Sequence, residues 1–366
     1  MPLSAWDDWV DRELGSLEAA GRRRRLRPLE GLGPRFTEAG RQVVSFASND
    51  YLGLASHPSV VGAARDAAVR WGTGCGSSRL IVGDRTLHRD LEAALAAWKD
   101  AEAALVFASG YQANVSVLTT FGAGARIVSD ELNHASIIDG ARLARAEVCV
   151  YRHGDAEHAA ALLAAAPGRA LLVSDTVLSM DGDVAPIREL SEACARYGAL
   201  MVLDDAHALF PTPQPDPRAA YLRVGTLSKA LGSQGGFVAG PSRWVELLVN
   251  RGRPFIFTTG LSPLCAAAAM AALDVARSCE GQALVARLRA HVDALRPGHP
   301  SPIIPVIIGD ERSALVASER LLAEGILVPA IRPPTVPVGT SRLRVSLSAA
   351  HLPGDVARLA AALQAL

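Results

Sequence analysis

Lysine is almost missing from this sequence. Of 37 basic side chains only Lys99 and Lys229 are lysines, and the rest are arginine. Arginine stays protonated and cannot form an imine, whereas a lysine amine is readily deprotonated by its surroundings. Chemistry that needs a lysine nucleophile therefore has two candidates. Lys99 ends the helical stretch LHRDLEAALAAWKD, where a solvated charge at a helix C-terminus is the expectation. Lys229 lies in RVGTLSKALGSQGG, between an apolar strand-like run and a glycine cluster, and it is the better candidate.

Other shortages exclude whole classes. There are five cysteines, an odd and widely spread set without a CxxC pair, so neither a disulfide framework nor a zinc site is expected. No metal is expected. Net charge is zero, which gives no reason to expect nucleic acid or an acidic membrane surface as a partner. No apolar run approaches the roughly 20 residues of a membrane span. The first residues, MPLSAWDDWVDREL, lack the basic start and apolar core of a secretory signal, so the cytoplasm is the expected compartment.

What is present is an alternation of short apolar runs and helical patterns. Strands are expected at 104–107, 125–129, 146–151, 170–175, 199–205 and 235–240, and helices at 112–121, 135–145, 155–165 and 187–197. That order predicts a mostly parallel sheet with helices on both faces, its site beyond the carboxyl ends of the strands. After about residue 260 the pattern changes to a long alanine-rich helix (262–278), IIPVIIGD, a helix at 313–324 and RLRVSLSAAH, which reads as a smaller α+β unit. The expected division is an N-terminal segment (1–45), a large α/β domain (46–275) and a small C-terminal domain (276–366). The segment PTPQPDP (211–217) reads as extended and semi-rigid.

Several residues at these strand ends have chemical potential. Asp204 and His207 follow the apolar run ALMVL; an aspartate there serves as a turn residue or holds a pyridinium nitrogen protonated. SGYQAN (109–114) follows ALVFA and opens a helix, either an ordinary tight strand-to-helix turn or one whose backbone N–H groups converge on an anion. His134 starts another helix, as a cap or as a flat ring for stacking. His153 and His158 fit no common metal spacing and read as surface helix polarity. GTGCGSSRLIVG (72–83) follows a helix and has the wrong spacing for a dinucleotide fingerprint. Arg22 opens a run of four arginines, a solvated face or a partner for a substrate anion. Arg342 and Arg344 share one side of a short strand, and an arginine there suits a substrate carboxylate.

Taken in order, SFASNDYLGLASHP, GTGCGSSRLIVGDRTLHRDLE, FASGYQAN, SDELNHASI, SDTVLSMDGDVAPI, LDDAH, GTLSKALGSQGG and PFIFTTGLSP resemble the α-oxoamine synthases over nearly the whole chain. These are pyridoxal 5'-phosphate enzymes of fold type I, the aspartate aminotransferase-like architecture. The resemblance implies that Lys229 forms the imine with the cofactor and then removes the α-proton of an amino acid. It implies that Asp204 pairs with the ring nitrogen, that His134 stacks on the ring, and that His207 and Ser179 contact its polar edge. Phosphate is then held at Ser109, Gly110 and Tyr111, by Thr226, and by Thr258 from a second subunit of a homodimer. Arg344, with Asn49 nearby and Arg22 as a further anion partner, takes the substrate side. Two stretches, LSKALGSQGG and VPAIRPPTVPVGTSRLRVSLSAAH, are most similar to the branch that condenses L-alanine with a pimeloyl thioester, of CoA or of acyl carrier protein, on the way to biotin.

The sequence departs from that family in one place. Where a glycine and a glycine-rich loop are expected after LDDAH, it has Ala208 and LFPTPQPDPRAAYLR, and Lys229 follows Asp204 by only 25 residues. Alanine lacks the access of glycine to positive φ, and the prolines fix much of the remaining loop. The retained cofactor residues favour a working enzyme; a different acyl donor or amino acid, or an impaired paralogue, is the alternative.

Overall fold

The computed structural model describes residues 4–366. Helix α1 (Ala5–Ala19) leads through an extended arginine-rich segment to three short strands, β1 (Glu30–Leu32), β2 (Arg35–Glu38) and β3 (Arg41–Ser45). Helices α2 (Pro58–Trp71) and α3 (Thr86–Trp98) precede the alternating region: β4 (Ala103–Phe107), α4 (Gly110–Phe121), β5 (Arg126–Asp130), α5 (Ala135–Leu143), β6 (Glu147–Tyr151), α6 (Ala156–Ala164), β7 (Ala170–Asp175), α7 (Ile187–Tyr197) and β8 (Leu200–Asp204). Strands β9 (Ala220–Thr226) and β10 (Gly236–Gly240) complete the large sheet. Next come helices α8 (Ser242–Arg251), α9 (Arg253–Ile256), α10 (Pro263–Arg277) and α11 (Cys279–Leu295). The chain ends with β11 (Ile303–Gly309), α12 (Glu311–Ala323), β12 (Ile326–Leu327), β13 (Ala330–Ile331), β14 (Ser341–Ser346) and α13 (Pro353–Gln364).

The large sheet has seven strands in the order β4-β10-β9-β8-β7-β5-β6. All neighbours are parallel except β10, which runs antiparallel to both β4 and β9. Strands β7 and β10 are buried at every position, as expected when helices cover both faces. The period of two sorts their side chains: Leu171 and Val173 of β7 pack with Val117 of α4 and Ile137 of α5, whereas Leu172 faces Leu163 of α6 and Leu190 of α7. Fully burying each such aliphatic side chain contributes about 1.5–3 kcal/mol. Strand β9 lies outside the apolar runs singled out in the sequence, because Arg223 interrupts it.

A second core joins the two ends of the chain. Strand β3 pairs in parallel with β12, so Val44 lies opposite Ile326, and Val44 and Phe46 pack with Leu288, Leu321, Leu343 and Val345. Residues 30–45 thus share a sheet with the C-terminal unit, whose own sheet runs β11-β14-β13. Among the described residues no helix is long and apolar enough to cross a membrane.

The segment after His207 is anchored to the second core, to β9 and to α7. Phe210 is buried in the second core with the Arg289 guanidinium 3.7 Å above its ring. Gln214 Oε1 accepts from Arg223 (3.1 Å), and the Asp216 N–H donates to Ser191 (2.7 Å). Among the described residues the non-glycine residues with positive φ are Ala39, Asp100 and Arg145, not Ala208; the loop follows a path that alanine permits.

Candidate active site

The carboxyl ends of β7, β8 and β9 bring Asp175, Asp204 and Thr226 to one rim, and the N-termini of α4 and α5 add Ser109 to Tyr111 and His134. Together they line a cavity of about 210 Å³ with Lys229 and His207 in its wall. Lys229 reaches it from a tight turn closed by the Gly232 N–H on the Lys229 carbonyl (2.9 Å). Gly232 has φ +59°, and a Cβ there would lie 2.2 Å from the Ala55 nitrogen, so only glycine fits.

Lys229 Nζ is 2.7 Å from His207 Nε2. Burial lowers the lysine from its ordinary value to about 8, helped by Arg344 and opposed by Asp204 and Asp175. Burial also holds His207 well below the usual imidazole range, and the positive charges of Lys229, Arg344 and His134 act in the same direction. Asp204 is fixed from two sides: Oδ2 accepts from Asn114 Nδ2 (2.6 Å) and Oδ1 from the Ala206 N–H (2.9 Å). Beside it, Asp175 is pushed well above the carboxylate range by burial and then by the Asp204 charge. His134 caps α5, its Nδ1 accepting from the Ser136 N–H (3.3 Å) and lying 2.7 Å from Ser136 Oγ, while its ring lines the cavity.

One end of the cavity is built for an anion. Ser109 caps α4 by accepting the Gln112 N–H (3.2 Å), which leaves the N–H groups of Gly110 and Tyr111, at the first two helical positions, without intrahelical acceptors. Thr226 Oγ1 and Ser228 Oγ, 2.7 Å apart, face them. A phosphate at that end, an aromatic ring over Asp204 and an aldehyde near Lys229 match the donors present, so the residues fit pyridoxal phosphate.

Not every residue singled out in the sequence lines this cavity. Ser179 contributes its carbonyl to Arg344 Nε (2.6 Å). The Arg344 guanidinium also donates to Ser346 Oγ (2.7 Å) and twice to Asn49 Oδ1 (3.2 Å each), which ties Asn49 to the site through the small domain. Thr258 lies with Arg79 and Phe255 in a separate depression, and Arg22 pairs with Glu311 at 2.9 Å. Lys99 is corrected outright: it is no solvated charge but a half-hidden ammonium 2.9 Å from buried Asp205, above the Trp98 ring. His153 is likewise no surface helix residue; it sits in the turn after β6, bridging Asp130 (3.0 Å) and Asp183 (2.7 Å), which raise it to about 10. Sequence reasoning missed Asn114, Ser136, Asp175 and Ser228. The signal for Ser228 was its place beside Lys229, and for Asn114 its place one helical turn past Gly110.

A larger cavity, about 610 Å³, is walled by Leu132, Ile138, Leu178, Met180 and Val336, with Asp181 and Arg342 paired at its side; it includes Asn133, the chain neighbour of His134.

Known proteins place this geometry. Residues 41–363 match the aminotransferase class I and II family. The 8-amino-7-oxononanoate synthase of Anaeromyxobacter dehalogenans is 49% identical, with 98% of this chain and 95% of that protein aligned. That of Methylobacterium nodulans is 46% identical over 100% and 99%. A lysine-to-alanine variant of the serine palmitoyltransferase of S. paucimobilis, solved with a bound PLP–myriocin aldimine, superposes with a TM-score of 0.89 at 27% identity, covering 100% of this chain and 98% of that one. The chain belongs to the aminotransferase class I and II family and, within it, to the 8-amino-7-oxononanoate synthases, pyridoxal-phosphate enzymes of fold type I.

Proposed function

We propose that the protein condenses L-alanine with a pimeloyl thioester, releasing carbon dioxide and the thiol and leaving 8-amino-7-oxononanoate for biotin formation. The observation that carries this reading is the wall of the smaller cavity, where Lys229, His207, Asp204 and His134 converge opposite the Ser109–Tyr111 anion cup, in a chain aligned end to end with synthases of that name. Pyridoxal phosphate, attached through Lys229, supplies the electron sink that makes the α-carbon of the amino acid acidic.

The chain's own residues do the rest. Lys229, with its pKa lowered to about 8, is poised to take the α-proton at neutral pH once its nitrogen is free. Asn114 and the Ala206 N–H hold the Asp204 carboxylate where it keeps a ring nitrogen protonated. Arg344 has four of its five N–H groups committed inside the protein, so it offers a substrate carboxylate a single donor and a positive field. The apolar wall of the larger cavity suits a chain of methylenes. A second copy of the chain would complete the site, with Thr258 meeting the phosphate of the partner subunit; Thr258 stands beside the exposed apolar residues Leu80–Val82 and Phe257.

The test is direct. The purified holoenzyme with L-alanine and pimeloyl-CoA is expected to yield a product of the mass of 8-amino-7-oxononanoate, and to exchange the α-proton of alanine in deuterated solvent. Lys229→Ala is expected to lose borohydride-fixed cofactor and both activities. Exchange without product would shift the acyl donor; cofactor fixed in Lys229→Ala would remove the lysine assignment.

A further inference from the structure

Tyr51 is the largest fully buried side chain touching the site, yet the chemistry above gives it nothing to do. Its hydroxyl lies 2.6 Å from His207 Nδ1 and 3.2 Å from Asn49 Oδ1. It has one proton and two acceptors, and the surroundings decide between them. Asn49 Oδ1 already accepts two N–H groups of Arg344, whereas His207 Nδ1 faces the tyrosine alone, at the shorter distance. Burial pushes the Tyr51 hydroxyl up to about 12, so it keeps its proton at any working pH.

We propose that Tyr51 is a positioning residue that sets the tautomer of His207, donating to Nδ1 so that Nε2 carries the ring proton and presents it to Lys229 and the cavity. The opposite arrangement would need Nδ1–H to donate to the tyrosine, leaving Nε2 as an acceptor. Lys229 would then have to turn an N–H toward Nε2, leaving both its own lone pair and an anionic oxygen in the cavity without a ring donor. With Nε2–H pointing inward, the neutral amine finds a donor for its lone pair, and an anionic phenolic oxygen of the cofactor would find one too. Burial, helped by the positive charge of Arg344, keeps the ring neutral, so the choice of nitrogen is the whole question.

The inference rests on the assignment of Lys229 as the imine-forming lysine, and the two fail separately. Holoenzyme labelled with ¹⁵N and ¹³C at its nine histidines is compared with His207→Asn to assign the His207 signals. Wild type is expected to show Nε2 protonated and Nδ1 bare between about pH 6 and 8. Tyr51→Phe keeps the ring packing and is expected to bring in the Nδ1–H form or the imidazolium, with kcat down roughly tenfold and KM for L-alanine within about twofold. A protonated Nδ1 in the neutral wild-type ring, or an unchanged His207 pattern in Tyr51→Phe, overturns the proposal. Absence from wild type of the imine band near roughly 420 nm would instead overturn the lysine assignment.

Discussion

At the scale of single residues, two lysines in one chain act as each other's control. Lys99 donates to Asp205, which also accepts from Arg223 and Thr176, so its ammonium is pinned in a buried cluster. Lys229 is half-buried without a carboxylate in contact, and its pKa is lowered from 10.5 to about 8. In cofactor-free protein the fraction of neutral Lys229 therefore rises through about pH 8 and levels off above pH 9. An amine-acylating reagent is expected to label Lys229 before Lys99, with a rate that tracks that curve, as peptide mass mapping would show. Equal labelling of both lysines would contradict the lowered pKa. The same contrast shows what sequence could not give: the two lysines were separable by their neighbours in the chain, but Asp205 as the partner of Lys99 lies 106 positions away and no periodicity announces it.

At the scale of elements, the site was legible wherever a strand end or a helix start carried it. The apolar runs placed β4, β5, β7, β8 and β10, and their polar punctuation placed Ser109, His134 and Asp204 where the structure has them. Strand β9 and the pairing of β3 with β12 were not legible. The first is interrupted by an arginine whose charge is satisfied across the sheet by Asp205, and the second joins segments about 280 residues apart in the chain. The antiparallel β10 matters for function. It brings Gly236 against the first turn of α4, where a Cβ would lie 2.4 Å from the Gly110 nitrogen, one of the two N–H groups aimed at the anion. Gly236→Ala is thus expected to displace the 109–111 turn and weaken cofactor binding by tenfold or more, about 1.4 kcal/mol, with the sheet intact. Cofactor titration by absorbance together with circular dichroism would check it. Unchanged affinity would mean that these two N–H groups do not hold the phosphate.

For the whole molecule, the question is what covers the apolar surface beside Thr258. The Ser78–Thr259 bridge and the bond from the Gly260 N–H to the Ser77 carbonyl lock residues 77–83 onto 257–260. Out of this unit project Ile81 (74% exposed), Val82 (69%) and Phe257 (68%). A rigid apolar ridge of that kind costs free energy in water, roughly 25 cal/mol for each Å² left uncovered, and a contiguous patch usually marks an interface. A second copy related by a two-fold axis would cover each ridge and carry each Thr258 toward the partner's anion cup. Assembly and cofactor grip are then one event. Ile81→Asp, which places a charge at the centre of the ridge, is expected to give a monomer by light scattering and to weaken cofactor binding in parallel. Raising the protein concentration should restore both together. A monomer that binds cofactor as tightly as wild type would show that Thr258 acts on nothing across the interface, and a dimer that survives the aspartate would place the contact elsewhere.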